Sequence, residues 1–364
     1  MLSNYMYIVF TPYQLMTTLN IIINDPSEKQ HLVVMVQKNL EPYKIMCEKI
    51  PNTKVLFFES LCLSYKFSSE FTVRMNLVKN ILKIKHIAKK IKSFNINVQR
   101  LFVPSDDAVC RVIFHTLCKY NKCLKISLFD DGVGTYDLHT FKGVSKLGRI
   151  VYFLLLNNNF IKRIDSLYCY QPGLLSSSPK SLKIIQLACS EEINNLFKSL
   201  LGNNADIFLG KKIVFLDQGL SEETEIKECL NRIKKYFAKE EVVVKLHPRV
   251  VGNTIYDFVE SRDGFPFEIL SSIYDFSDSL FIAVSSGGCI NSKLMFGEGC
   301  GKVIYLIKLS NSSDEATPAI HFFERVQTYY GEDVLFMPLS VNEFEEYLKK
   351  NVKIKGVRRK CNCK

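Results

Sequence analysis

Short, nearly unbroken apolar runs alternate with stretches of helical periodicity along most of this chain, and few architectures accept that pattern. Tyr5–Phe10 is apolar and stops at Thr11-Pro12, and Tyr13–Ile23 then spaces its apolar residues as a helix does. His31–Val36, Val55–Phe58, Leu101–Val103 and Lys125–Phe129 continue the series, each apolar on both faces, as strands covered on both sides must be. A second series begins at Lys212: strand Ile213–Leu216, helix Glu222–Phe237, strand Glu241–Leu246 and a helix near Ile255–Ser261. Strand Leu280–Val284, helix Ile290–Phe296 and strand Val303–Leu306 complete it. Such alternation predicts an α/β protein with parallel sheets and crossover helices. At 364 residues the chain exceeds one domain of usual size, and the glycine- and asparagine-bearing stretch Gly202–Gly210 reads as a linker. The expectation is two Rossmann-like domains, 1–205 and 206–340, with parallel sheets facing a central cleft, followed by a C-terminal helix and basic tail over 341–364.

Hydrophobic residues at 47% and charged residues at 23% leave ample core and exclude bulk disorder. Met1–Leu15 lacks a basic start, a continuous apolar run and a cleavage site, so no signal peptide is expected. The longest apolar run, Ile150–Leu156, is too short to span a bilayer, and a cytoplasmic protein is expected. Twelve cysteines then read as reduced, mostly buried thiols, and Cys361 and Cys363 lack the neighbours a metal site needs. The net charge of +11 favours anionic partners. Val73, Leu77, Ile81, Ile84, Ala88 and Ile91 alternate with lysines within Lys79–Lys92, which predicts an amphipathic basic helix, either a solvated surface face or a contact for a membrane surface. A second basic stretch runs from Lys349 to Lys364. Nucleic acid is not expected as a partner, because no aromatic-interleaved basic motif or zinc module occurs.

Ligands of open parallel sheets gather beyond the carboxyl ends of strands, and the chemically interesting motifs lie there. Asp130-Asp131-Gly132 ends one apolar run; its carboxylates either shape a turn or take a proton from an attacking hydroxyl. Lys245 and His247 end another, two residues apart and so on one face, with Pro248 stiffening the histidine's backbone and Arg249 flanking it. Ser285-Ser286-Gly287-Gly288 joins a strand to a helix, where hydroxyls, bare backbone amides and the helix dipole suit an anion as well as a simple cap. No Asp-x-Asp triplet occurs, so a departing phosphate has to be neutralised by side chains rather than by a chelated metal.

Taken in order, Asp130-Asp131-Gly132, Lys245-Leu246-His247-Pro248, Pro266-Phe267-Glu268 and Ser285-Ser286 resemble the D-D-G, K-x-H-P, P-x-E and S-S motifs of bacterial sialyltransferases of the two-domain GT-B type. The resemblance runs from about Tyr5 to Phe296 and looks closest to the lipooligosaccharide and capsule sialyltransferases, with Thr11-Pro12-Tyr13-Gln14 matching their N-terminal turn. It implies a GT-B fold and single-step, inverting transfer of N-acetylneuraminic acid from CMP-Neu5Ac, without cofactor or metal. The implied acceptor is a terminal sugar, galactose by expectation, of a lipid-linked bacterial surface glycan, with the enzyme in the cytoplasm or peripheral on the inner face of the plasma membrane. By the same resemblance Asp131 is the general base, with Asp130 the alternative, and His247 the general acid. Lys245, Ser285 and Ser286 bind the donor phosphate, Glu268 the ribose, and Thr11 and Gln14 contact sialic acid or acceptor. Polysialyltransferases and transferases of other nucleotide sugars share the scaffold, and a non-enzymatic binder of anionic polymer is the competing class. The linkage, 2,3, 2,6 or 2,8, stays open.

Overall fold

Seven strands of the first unit, Met1–Ser190, are β1 (Asn4–Val9), β2 (Gln30–Met35), β3 (Thr53–Phe57), β4 (Val98–Val103), β5 (Lys125–Phe129), β6 (Ile164–Cys169) and β7 (Lys183–Gln186). They pair in parallel in the order β3-β2-β1-β4-β5-β6-β7. This is the doubly wound Rossmann order with one strand added, and its direction reverses between β1 and β4. The computed structural model describes residues 4–58, 86, 89–91, 97–136, 160–176, 182–201, 206–217, 224–247, 256–261, 265–297, 300–310 and 317–359.

Sequence dictates the entry to the first helix, Pro12–Ile23. Thr11 is its N-cap, accepting the Gln14 N–H at 3.2 Å, and Pro12 occupies the first helical position, where its missing N–H costs nothing. Leu15, Met16 and Leu19 are fully buried, as are Met6 to Val9 of β1. Removing those side chains from water at about 25 cal/mol per Å² fixes the helix on the sheet.

The second unit, Glu191–Lys364, contains β8 (Ile213–Leu216), β9 (Val242–Lys245), β10 (Val259–Ser261), β11 (Tyr274–Asp275), β12 (Leu280–Ala283), β13 (Lys302–Tyr305), β14 (Leu335–Phe336) and β15 (Arg358–Arg359). Its six-stranded sheet has the order β10-β9-β8-β12-β13-β14, so the same winding recurs with the reversal between β8 and β12. Ile213, Phe215, Val242, Val244, Leu280 and Ile282 form its core with Ile226 and Ile233 of the helix Thr224–Tyr236.

Several expectations change. Val259–Ser261 is a parallel edge strand on β9, not the end of a helix; it is three residues long, too short to display a period. The units divide between Ser190 and Glu191, earlier than residue 205, because the helix Glu191–Leu201 packs on the helix Phe267–Ile273. The C-terminal helix Val341–Lys350 is part of the second unit, with Phe344 and Leu348 in its core. β15 pairs antiparallel with β11, Arg358 lies 3.7 and 3.6 Å from Asp275 and Asp278, and Arg359 is hydrogen-bonded to Asp206. The expected basic helix around Lys79–Lys92 lies outside the described residues except for 86 and 89–91, as do Ile150–Leu156, Cys361 and Cys363. Among the described residues the cysteines are thiols, with Cys47, Cys110, Cys169, Cys229, Cys289 and Cys300 buried, and no helix is long and apolar enough to cross a membrane.

Candidate functional site

The turns that follow β1 and β5 meet beside the reversal point of the first sheet. Asp130, fully buried, accepts four hydrogen bonds: from Tyr13 Oη (2.9 Å) and Gly132 N (2.8 Å) on Oδ1, and from Tyr136 Oη (2.5 Å) and Tyr170 N (3.2 Å) on Oδ2. Gly132 turns the chain at φ +87°, a left-handed conformation that favours glycine. Burial pushes the Asp130 carboxyl above its ordinary pKa, while the hydrogen bonds from Tyr136, Gly132, Tyr170 and Tyr13 pull it back.

Asp131 is built differently. Its N–H donates to Thr135 Oγ1 at 2.7 Å, and its Oδ1 accepts from the Gln14 side-chain amide. Among the described residues no group donates to its Oδ2. Burial, reinforced by the adjacent Asp130 charge, raises its pKa to about 7 against the lowering effect of Gln14. A carboxylate titrating there, with a bare oxygen, can take a proton near neutral pH.

The second unit assembles a different chemistry at the ends of β9 and β12. Lys245, 4% exposed, ends β9, and the partly exposed His247 follows two residues later; Pro248 and Arg249 lie outside the described residues. Glu268 is the second residue of the helix Phe267–Ile273 and is buried. Asn291 Nδ2 donates to its Oε1 at 3.1 Å; desolvation raises the Glu268 pKa, and Asn291 and the Lys245 charge oppose that.

Ser286 is the N-cap of the ten-residue helix Gly287–Phe296, yet its side chain makes no capping hydrogen bond. Its carbonyl accepts from Tyr305 Oη at 2.8 Å, and the Tyr305 ring is stacked on Phe323 at 3.8 Å between centroids. A Cβ placed on Gly288 would lie 3.6 Å from Ser286 Oγ and 3.8 Å from Glu268 Oε1. The serine hydroxyl, the glutamate and the bare helix N-terminus therefore border one small volume. Such a volume accepts an anion at the amide end and hydroxyls at the carboxylate.

Thr11, Gln14, Asp130 and Asp131, chosen from sequence, share the first site. Lys245, Glu268 and Ser286 share the second, with Ser285 beside Ser286 and His247 beyond Lys245. Sequence reading missed the tyrosines that hold Asp130, although Tyr13 sits inside the Thr11–Gln14 turn and Tyr136 lies a helical turn beyond Gly132. It also missed Asn291, Tyr305 and the buried Asp217 at the end of β8, which accepts from Tyr256 Oη at 2.7 Å. Among the described residues no group of three or more His, Cys, Asp or Glu side chains is arranged to hold a metal ion.

A family profile described as Alpha-2,8-polysialyltransferase (POLYST) matches residues 5–277, which include Asp130, Asp131, Lys245, His247 and Glu268. Among solved structures, Arabidopsis thaliana UGT89C1 complexed with UDP-L-rhamnose superposes with a TM-score of 0.55 at 8% identity, covering 97% of this chain and 90% of that one. Phytolacca americana UGT2 complexed with UDP-2fluoro-glucose and pterostilbene gives 0.52 at 10% identity, over 96% and 90%. The UDP-GlcNAc 2-epimerase of Methanocaldococcus jannaschii gives 0.53 at 10% identity, over 97% and 92%. The two units thus make a GT-B fold, a scaffold that carries transferases and an epimerase alike. A sequence search of curated proteins finds no match.

Proposed function

This chain belongs to the alpha-2,8-polysialyltransferase family, and on that premise we propose that it transfers sialic acid from CMP-Neu5Ac, with inversion, to an acceptor that itself ends in sialic acid. It is a glycosyltransferase, so it takes a nucleotide-sugar donor and a glycan acceptor. The observation that carries the proposal is Asp131 of the first unit, with its open oxygen and pKa of about 7; the second unit, by itself, offers a phosphate one lysine, two serines and a helix N-terminus.

In the proposed reaction Asp131 Oδ2 takes the proton of the attacking hydroxyl, whose oxygen forms the new bond to the anomeric carbon of the donor sugar. The bond from that carbon to the phosphate oxygen breaks, and its electron pair leaves with CMP. Lys245, Ser285, Ser286 and the amides at Gly287 and Gly288 stabilise the departing phosphate, and His247 supplies a proton to it. Glu268, held by Asn291, accepts from the ribose hydroxyls. CMP carries one phosphate, so a compact clamp suffices without a chelated divalent ion.

A second reading, transfer to a terminal galactose of lipooligosaccharide or capsule, draws on the resemblance of the Thr11-Pro12-Tyr13-Gln14 turn to the N-terminal turn of those enzymes. Under either reading the acceptor is lipid-linked at the cytoplasmic face of a bacterial membrane. Incubation with CMP-Neu5Ac and two fluorescent acceptors, one ending in galactose and one in α2,8-linked sialic acid, followed by mass spectrometry, separates them. The first reading predicts a ladder on the sialylated acceptor alone. A single addition to galactose supports the second, and no product on either acceptor counts against both.

A further inference from the structure

We infer that Gln14 is a positioning residue for Asp131: it holds Oδ1 and leaves Oδ2 to receive the proton, rather than contacting sialic acid or acceptor. The inference rests on the reading of Asp131 as the base.

Both ends of the Gln14 amide are engaged. Its Oε1 accepts the Phe10 N–H at 2.7 Å, and its Nε2 donates to Asp131 Oδ1. Its own N–H is capped by Thr11 Oγ1 at 3.2 Å, and the residue is only 4% exposed. The backbone bond at Phe10 selects the orientation of the amide, so a donor rather than an acceptor faces the carboxylate. With Oδ1 occupied by Gln14, Oδ2 is the oxygen left to receive a proton, while the Thr135 contact to the Asp131 N–H holds the backbone from which the carboxylate projects.

Burial and the neighbouring Asp130 oppose ionisation of Asp131. Asp130 precedes it and its charge raises the Asp131 pKa, while the buried Cys110 thiol on the helix Ala108–Cys118, itself pushed well above its ordinary value by burial and by Asp107, Asp106 and Asp131, stays neutral. Gln14 is the neighbour whose hydrogen bond lowers the Asp131 pKa. A polar but uncharged donor suits a general base, since a lysine or arginine in its place would hold the aspartate too acidic to accept a proton well.

A titration that needs no acceptor tests the inference. Protein labelled with ¹³C at aspartate carboxyls is followed by NMR, with the Asp131 signal assigned by its loss in Asp131→Asn. The wild-type midpoint is expected near 7. Gln14→Met, close in shape but without the donor, is expected to raise it by about one pH unit, and Gln14→Glu, which faces a second carboxylate toward Asp131, by more. In a parallel assay of CMP-Neu5Ac turnover the acid limb of the kcat/KM profile is expected to move by the same amount while the KM for donor is unchanged. An unmoved Asp131 midpoint in both variants overturns the inference, as does a rise in acceptor KM with no change in the pH profile. Should Gln14→Met fail to fold, the Gln14→Glu titration decides alone. Full turnover by Asp131→Asn is a separate outcome, which removes the base assignment itself.

Discussion

Tyr136 donates its hydroxyl hydrogen to Asp130 Oδ2 at 2.5 Å, and with the three other donors on that carboxylate it divides the duties of two neighbouring aspartates. Asp130 is spent on holding the turns after β1, β5 and β6 together. Asp131 keeps an oxygen for chemistry. Asp131→Asn is expected to leave the fold and CMP binding intact and to lower turnover by about 10²- to 10⁴-fold. Asp130→Ala strands two phenols and two backbone amides, at a cost of about 2–4 kcal/mol. Turnover and thermal denaturation measured on both variants check the division; the reverse pattern would exchange the two roles.

The raised pKa of Asp131 also has a thermodynamic sign. The folded protein holds its proton up to about pH 7, whereas the unfolded chain releases it near 3.9. Its favourable contribution is therefore present below pH 4 and is lost as pH rises through 7. Asp131→Asn should melt higher than wild type at pH 8, by up to roughly 4 kcal/mol, with the difference shrinking at pH 5. Denaturation curves at the two pH values test this, and a pH-independent difference would contradict the buried-base description.

Gly288→Ala probes the donor side without breaking the fold. The new Cβ would meet Phe267 Cβ at 3.5 Å, Ser286 Oγ at 3.6 Å and Glu268 Oε1 at 3.8 Å, ordinary contacts that the apo protein tolerates. It would occupy the volume assigned to the nucleotide. Near-normal melting with CMP stabilisation lost is the expected result. Ser286→Ala should weaken CMP by about tenfold, the value of one hydrogen bond of about 1.4 kcal/mol. Unchanged CMP affinity in both, by calorimetry, would move the donor site elsewhere.

The C-terminal segment is predicted to act inside the fold. Gly356 has φ +91°, and a Cβ there would lie 2.7 Å from the Gly210 carbonyl oxygen. Gly356→Ala should cost more than about 1 kcal/mol and lower the melting temperature. Arg358 and Arg359 already face Asp275, Asp278 and Asp206. Deleting 360–364 is accordingly expected to change flotation with anionic liposomes little; a large loss would instead make the tail a membrane contact.

The sheets were legible because strands buried on both faces must be apolar throughout, and Lys125–Phe129 and Ile213–Leu216 could be read to the residue. β6 was not, since Asp165 and Ser166 interrupt its apolar run. Those polar residues bind Arg100, which contacts Asp165 at 2.6 Å and Ser166 at 3.0 Å, a cross-strand arrangement invisible to a periodicity argument. At the site, the strand-end residues could be chosen from their chemistry. The Tyr13 contact to Asp130 and the Asn291 contact to Glu268 could not, because each joins residues far apart in sequence, and Tyr136, six residues beyond Asp130, belongs to no pattern that marks it.

Thermal stabilisation by CMP, CDP, UDP and GDP, each with and without EDTA, distinguishes a CMP-linked sialic acid donor from other nucleotide sugars. A ligand that binds only the folded protein at 100 times its Kd adds about 2.7 kcal/mol, a shift easily seen. Selective stabilisation by CMP that survives EDTA is the predicted result. A preference for UDP or GDP, or a CMP effect abolished by EDTA, would rule out metal-independent use of a CMP-linked donor.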